Sequence, residues 1–405
     1  MAKQMVDQLV LQHKKVFVRA DLNVPLKDGK ISDDNRIVQA CPTLKYLISK
    51  QARVIVLSHL GKVKHSDPIK AAEQMKKNDL AVVAVRLSEL LGKKVTFVSA
   101  TRGAELEQAI TALKDGDVLL MQNTRYEVGE EKNSEELGTY WASLCDIYVN
   151  DAFGSCHRAH ASTYSLPMAC KKANKPTAIG YLVEKEIASL SRCVEAKEHP
   201  YIAVMGGSKV SDKIKVIEGL LKKADKILIG GAMAFTFMKA LGKEVGKSLV
   251  ELDQVDFAKR CLIEGKGRIC LPLDYIMADS LSEPSRVEVS KNQNVAIDMM
   301  GLDVGPKTNE FYKEELTGAK IVFWNGPLGA FENPLFANGT KSICEAIVNL
   351  KNCFSVIGGG DSASAVAQYG YSSRFSHVST GGGASLEMIE NDGHLPGIDV
   401  IEEAK

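Results

Sequence analysis

The sequence predicts an α/β protein made of two doubly wound parallel sheets joined by a hinge helix. Three observations predict this class. Short β-branched runs recur along the chain, with helical spacing between them. Most of the runs are near-continuous hydrophobic rather than alternating, as strands covered on both faces require. Unusual polar segments repeatedly follow the runs, beyond the carboxyl ends of strands, where open parallel sheets hold their ligands. A length of 405 residues suggests two or three domains, at about 150 residues each.

In the first half the strand runs are Lys15–Arg19, Arg53–Leu57, Val95–Val98, Asp117–Met121 and Asp146–Val149. In the second they are Tyr201–Met205, Lys226–Ile229, Arg268–Leu271, Val295–Met299, Lys320–Trp324, Phe354–Ile357 and His377–Ser379. Thr43–Lys50, Ala104–Leu113 and Asp212–Lys222 carry helical spacing. Near the middle, Val183, Ile187, Leu190 and Val194 share one helix face, and Glu184, Lys185, Glu186, Arg192 and Glu195 fill the others. That helix ends before His199-Pro200. We read 183–199 as the joining helix, between an N-terminal domain at 1–182 and a C-terminal domain at 200–387. An ordinary crossover helix within one larger sheet is the plain alternative.

Composition narrows the function. At 45% hydrophobic and 25% charged residues, disorder is excluded, and the size removes any need for disulfide or metal staples. The 51 basic and 50 acidic residues leave a net charge of +1, which argues against a polyanion-binding surface over the whole protein. No run approaches the length of a membrane span, and MAKQMVDQLV has no secretory core. The nine cysteines form no CxxC pair and sit mostly in apolar runs, as reduced thiols of a cytoplasmic protein do.

The chemistry lies in the polar segments. Asp21-Leu22-Asn23, His59-Leu60-Gly61-Lys62, Arg125, and Asn150-Asp151 with His157-Arg158-Ala159-His160 follow strands in the first half. Arg36, Arg125 and Arg158 suit a small anion, since arginine grips carboxylate or phosphate with two parallel bonds. His59, His157 and His160 extend that basic cluster, although each alone is more often structural. Zinc on His157 and His160 lacks a third ligand.

In the second half, Gly206-Gly207-Ser208-Lys209, Gly230-Gly231, Asn325-Gly326-Pro327, Gly358-Gly359-Gly360-Asp361 and Thr380-Gly381-Gly382-Gly383 follow strands. One Gly-Gly is a turn signal. Several after strands in one half point to backbone N–H groups laid against phosphates. Lys209 and Lys213, four apart at an expected helix start, project to one side, one to hold a phosphate and the other to follow a transferring group. Asp361 either caps a helix or holds Mg²⁺, or does both. Unlike half-sites imply unlike ligands.

Nucleophilic catalysis has no support, with no Gly-x-Ser-x-Gly elbow and no distinctive cysteine. Gly246-Lys247-Ser248 ends like a P-loop, but position 241 is leucine and the segment follows a helical pattern. A Gly-x-Gly-x-x-Gly dinucleotide fingerprint is absent.

Taken together, VRADLNVP, SHLGK, NTRY, NDAFGSCHRAHAS, GGSKVSDKI, IGGAMAFTF, GLDVGPKT, WNGPLGAFE, GGGDS and HVSTGGGASLE resemble the phosphoglycerate kinase family nearly end to end. The resemblance implies a monomer of two Rossmann-like domains around a hinged cleft, with the tail 388–405 packing back on the N-terminal domain. It implies transfer of phosphate between 1,3-bisphosphoglycerate and ADP, giving 3-phosphoglycerate and ATP, with Mg²⁺ and after domain closure. Neither a nucleic acid nor a membrane is implied as partner.

By motif, Asp21, Leu22, Asn23, Arg36, His59, Leu60, Gly61, Lys62, Arg125 and Arg158 would bind phosphoglycerate. Lys209, Lys213, Gly231, Gly301, Asn325, Glu332, Gly359, Gly360, Asp361 and Ser362 would bind the nucleotide. Arg36 would be the catalytic arginine at the transferring group and Lys213 would accompany that group. Gly360 and Gly383 would donate N–H groups to it, Glu332 would hold the ribose and Asp361 the Mg²⁺. Lys62-Val63, Gln122 and Ser208 depart from the family's usual arginine-proline, glutamate and alanine. Two rivals are a carboxylate-activating ligase, for which no third site is evident, and a non-enzymatic nucleotide or polyanion binder.

Overall fold

The computed structural model describes residues 2–404. Two compact units divide them, one formed by Met1–Ala188 with His394–Lys405, the other by Ser189–Gly393. Each holds a sheet of six parallel strands.

In the first unit the strands are β1 (Lys15–Ala20), β2 (Arg53–Leu57), β3 (Val95–Val98), β4 (Val118–Met121), β5 (Ile147–Asp151) and β6 (Thr177–Ile179). Their order is β3-β4-β2-β1-β5-β6. Val16, Val18, Val54, Val56, Leu120 and Val149 are fully buried or nearly so, which explains why these runs carry no polar alternation. The order reverses between β2-β1 and β5, so the loops after β1, β2 and β5 open on one crevice. Helix α1 (Asn35–Ser49) brings Arg36 in its first turn to the end of β1. Thr177–Ile179 is a strand that the sequence reading did not propose; at three residues it is too short to announce itself.

Residues from the end of the chain complete this unit. Gln4 N–H donates to Glu402 O at 2.8 Å, Asn150 Nδ2 to Gly397 O at 2.8 Å, and Gly397 N–H to Cys156 O at 2.9 Å. Residues 388–393, expected in the tail, belong to the second unit, and His394 begins the return. The expected joining helix, 183–199, is α2 (Tyr181–Glu195), and the unit boundary falls within it.

The second unit carries β7 (Tyr201–Met205), β8 (Lys226–Ile229) and β9 (Ile269–Cys270). A three-stranded antiparallel sheet follows: β10 (Tyr275–Ala278), β11 (Val287–Val289) and β12 (Met300–Val304), in the order β11-β10-β12. Then come β13 (Ile321–Asn325), β14 (Phe354–Gly358) and β15 (His377–Val378), and the parallel sheet runs β9-β8-β7-β13-β14-β15. The expected strand at Val295–Met299 is not one. Val295 makes a single bridge to Val245, Met299 N–H turns back to Ala296 O at 3.0 Å, and Ile297 lies 84% exposed. Pairing starts one residue later, at Met300.

Three helices frame the loops of this sheet: α3 (Ile214–Leu221), α4 (Gly360–Gln368) and α5 (Gly382–Glu390). Both α4 and α5 begin in the glycine runs that follow β14 and β15, so their first-turn N–H groups face the carboxyl edge.

Candidate functional site

In the first unit the cationic residues gather where β1, β2 and β5 end. Asp21 is buried and pairs with Arg36 Nη1, while its other oxygen accepts Asn23 N–H at 3.2 Å. Leu22 N–H donates to Ser58 Oγ at 2.9 Å. Asn23 Oδ1 accepts Gly61 N–H at 2.8 Å, tying the loop after β1 to the loop after β2. Gly61 takes φ +61°, and a Cβ there would strike the Asn78 side chain. Leu22 and Leu60 point into the core, so at those positions only backbone is available to a ligand.

Two asparagines to which the sequence reading gave no role shape this loop. Asn123 Nδ2 donates to Leu60 O at 2.7 Å and to Asn78 O at 3.0 Å, and Asn78 Nδ2 donates to Lys62 O at 3.0 Å. Arg125 Nη1 donates to Gly61 O at 2.5 Å and Nη2 faces Glu131 at 3.2 Å. Its Nε is buried with no partner. A buried donor left open inside a basic crevice is a place for an anion oxygen. Lys62 and Arg158 are exposed, and Arg158 Nε lies 3.2 Å from His157 Nε2.

The electrostatics agree. Burial pushes the His59 imidazole well below its usual range, aided by Arg19, Arg125, Arg36 and His160. His160 is pushed down to about 4 by burial and by Arg19, Arg125 and Arg158. Both rings are neutral at pH 7, so the site's positive charge rests on arginine and lysine. Gln122 has a local reason. Its Oε1 accepts Leu80 and Asn123 N–H groups, and its Nε2 donates to Asp79 at 2.9 Å, which a glutamate could not do.

In the second unit one cavity of about 260 Å³ is lined by Gly207, Ser208, Lys209, Lys213, Asn325 and Gly326, with Gly359 to Ser362, Gly382 and Gly383 across from them. The loops after β7 and β13 meet backbone to backbone. A Cβ on Gly206 would collide with the Pro327 carbonyl, and one on Gly326 with the Gly206 carbonyl. The N-termini of α4 and α5 converge on the same space, and Gly382 packs against Gly359.

Lys209 and Lys213 do not project from one helix face. Lys213 ends the 3-10 turn Ser211–Lys213 before α3, and Lys209 sits in the loop that precedes it. The loop nonetheless brings both to the cavity. Lys213 Nζ donates to Asn325 Oδ1 at 2.6 Å, and burial pulls its pKa down against the pull of Asp212 and Asp361. Asp361 does not cap α4 either. Gly359, at φ +107°, holds the cap position, and Asp361 stands exposed in the first turn. Ser362 is buried, its Oγ accepting Gly326 N–H at 2.6 Å.

Three expected nucleotide residues are not among the cavity's lining. Gly231 packs behind Gly207, with φ +66°. Gly301 is buried against the Phe235 ring, its N–H donating to Ser248 Oγ at 2.9 Å. Glu332 is exposed. The rejected P-loop look-alike is thus a packing loop, since Ser248 serves Gly301 and Lys247 N–H donates to Met299 O at 2.7 Å.

The first unit thus carries a basic crevice and the second a glycine-lined cavity, each at the carboxyl edge of a parallel sheet. A family model described as phosphoglycerate kinase matches residues 6–392. The chain belongs to the phosphoglycerate kinase family. It is therefore a phosphotransferase, and its reaction is that of phosphoglycerate kinase. A phosphoglycerate kinase of Macrococcus caseolyticus is 51% identical over 408 residues, covering 100% of both chains. The solved phosphoglycerate kinase from Coxiella burnetii is 38% identical, with a TM-score of 0.86 over 98% of each chain. That from Pyrococcus horikoshii is 33% identical, with a TM-score of 0.84 over 98% of each.

Proposed function

We propose that the first unit holds the phosphoglycerate and the second the nucleotide. Phosphate then passes directly between 1,3-bisphosphoglycerate and the terminal oxygen of ADP. The observation that carries this reading is the convergence of Lys209, Lys213, Asp361 and the α4 and α5 N-termini on one cavity. Such a set binds a polyphosphate by charge and by backbone N–H groups at once.

The attacking group is an oxygen of ADP or, in reverse, a carboxylate of 3-phosphoglycerate. Neither requires a protein nucleophile. Eight of the nine cysteines are buried, and burial pushes thiols such as Cys156 and Cys193 up to about 12. The work is placement and charge neutralisation of a loose transition state. Arg36, oriented by Asp21, faces the transferring group from the phosphoglycerate side, and Lys213 with the N–H groups of Gly360 and Gly383 from the nucleotide side. Arg125, Arg158, His59 and Lys62 fix the acceptor. The half-sites lie on separate units, so transfer requires their approach, which also excludes water.

Asp361 fits a Mg²⁺ that arrives with the nucleotide, since this ion is commonly held by one or two carboxylates plus phosphates. No group of three His, Cys, Asp or Glu suited to hold a metal unaided occurs among the described residues. When bound, the ion would neutralise phosphate charge. One chain supplies both half-sites, so a monomer suffices. No helix among the described residues is long and apolar enough to cross a membrane, and the buried thiols suit a reducing cytoplasm.

The test is a coupled assay with ATP, Mg²⁺ and 3-phosphoglycerate on the wild type and Arg36→Ala. Acyl-phosphate formation in the first and a loss of about 10²-fold or more in the second are expected. Equal activity in both would remove Arg36 from the transferring group.

A further inference from the structure

We propose that Arg19 is a positioning residue that holds His59 as the neutral tautomer whose Nε2–H faces the phosphoglycerate, with Ser162 and Glu130 holding Arg19 in turn. The placement of His59 in the phosphoglycerate site rests on the reading above; the tautomer does not.

Arg19 lies inside β1, 1% exposed, with Val16, Phe17, Val18 and Ala20 as its apolar neighbours in the strand. Its Nη2 stands 2.9 Å from His59 Nδ1. A guanidinium only donates, so Nδ1 accepts, and the single proton of the neutral ring is on Nε2. A second proton on the ring would set an N–H against an N–H. The groups around the imidazole, Arg19, Arg125, Arg36 and His160, are all cationic or basic, so none favours that second proton. His59 Nε2 meets no hydrogen-bond acceptor among the described residues.

The support of Arg19 has a fixed direction. Its Nε donates to Ser162 Oγ at 2.9 Å and its Nη1 to Ala20 O at 2.6 Å. The Ser162 hydroxyl therefore spends its proton on Glu130 Oε1, at 2.5 Å, and Glu130 Oε2 accepts Ser162 N–H at 2.9 Å. Glu130 is wholly buried. A guanidinium and a carboxylate are thus both buried, with one hydroxyl between them. Burying two charges rarely adds net stability over an apolar pair. What this relay does secure is the guanidinium's orientation, and through it which ring nitrogen carries the proton. The reverse tautomer would present a lone pair to an anionic oxygen.

The experiment is ¹⁵N NMR of the full chain labelled at histidine, with His59 assigned through His59→Gln. In the wild type, Nδ1 should read as unprotonated and Nε2 as protonated, without titrating between about pH 5 and 8. Arg19→Met should yield a tautomer mixture or a ring that titrates in the ordinary histidine range. Ser162→Ala, the milder change, should shift the ring in the same direction and raise KM for 3-phosphoglycerate about tenfold, with kcat changed less than about twofold. Ser162→Thr should restore both. An Nδ1–H ring in the wild type overturns the proposal, and so do His59 signals unmoved in a folded Ser162→Ala protein. Should His59→Gln leave KM unchanged while the tautomer reads as expected, the site assignment fails and the tautomer lock stands.

Discussion

Lys213 donates a hydrogen bond to the side-chain oxygen of Asn325 at 2.6 Å, and Asn325 donates from its nitrogen to the Gly358 carbonyl at 2.5 Å. The second bond fixes which way the amide faces, so its oxygen is turned to a donor, here the Lys213 ammonium. On the proposed function, Asn325 holds the lysine until phosphate enters. In Asn325→Ala the ammonium is half-buried with its acceptor removed. We expect kcat to fall about tenfold, for roughly 1–2 kcal/mol of lost positioning, with a smaller change in KM for ADP. Steady-state kinetics against each substrate check this.

The loop ending in Lys62 is held by backbone contacts, to Asn23, Asn78, Asn123 and Arg125, that do not depend on the side chain at 62. Lysine there keeps the charge and lacks the two-pronged grip of arginine. Lys62→Arg should lower KM for 3-phosphoglycerate by about two- to fivefold and leave kcat near its wild-type value. An unchanged KM would mean that residue 62 does not touch the ligand.

Gln122 donates to Asp79 and is itself 2% exposed. Gln122→Glu sets a second carboxylate against Asp79 in a buried place. Stability at pH 7 should fall by about 1–3 kcal/mol, and the loss should shrink in acid as the new carboxyl takes up a proton. Urea unfolding at two pH values reads both.

Asp151 shows a different pH effect. Burial pushes its carboxyl up to about 7, against the opposing pull of the Thr43 hydroxyl and of the Leu182 and Val183 N–H groups that donate to Oδ1. Its folded-state pKa lies above the ordinary carboxylate value. The native state therefore binds this proton more tightly than the unfolded chain, and the stability it contributes is lost as pH rises through about 7. Asp303, also pushed to about 7 by burial, acts in the same sense. Asp151→Asn should gain stability relative to wild type as pH goes from about 5 to 8, whatever its fixed offset. A constant difference across that range would show that Asp151 does not titrate there.

The long parallel strands were legible because a strand buried on both faces has a run of apolar residues to show, as in YIAVM and IVFWN. The small antiparallel sheet was not. Tyr275–Ala278 and Val287–Val289 are short, and Gly301 and Asp303 break the apolar pattern of Met300–Val304, which is as long as YIAVM. The cavity of the second unit, lined largely by glycines after strands, was readable in outline from those glycines. That Gly231 packs behind Gly207 and Gly301 against Phe235, outside its lining, depends on contacts between residues distant in sequence. Arg19 was missed although it carried a signal, a charge within VFVRA at a position where both faces of the sheet are covered. Asn123 stood in the NTRY motif without a role, and Asn78 carried no signal, since amides are common in loops and only the fold sets these two under His59–Lys62.

The first unit takes residues from both ends of the chain, and its β6 edge is met by Met5 while Glu402 is bonded to Gln4 and Thr177. Closing that ring means enclosing some 200 residues of intervening chain, an entropic demand that shrinks once those residues have collapsed into a body of their own. During synthesis, at about 5–20 residues per second, the second unit has its whole sequence by Gly393, before the first has received its final strip. The half of the enzyme that is begun first is thus the half that is finished last.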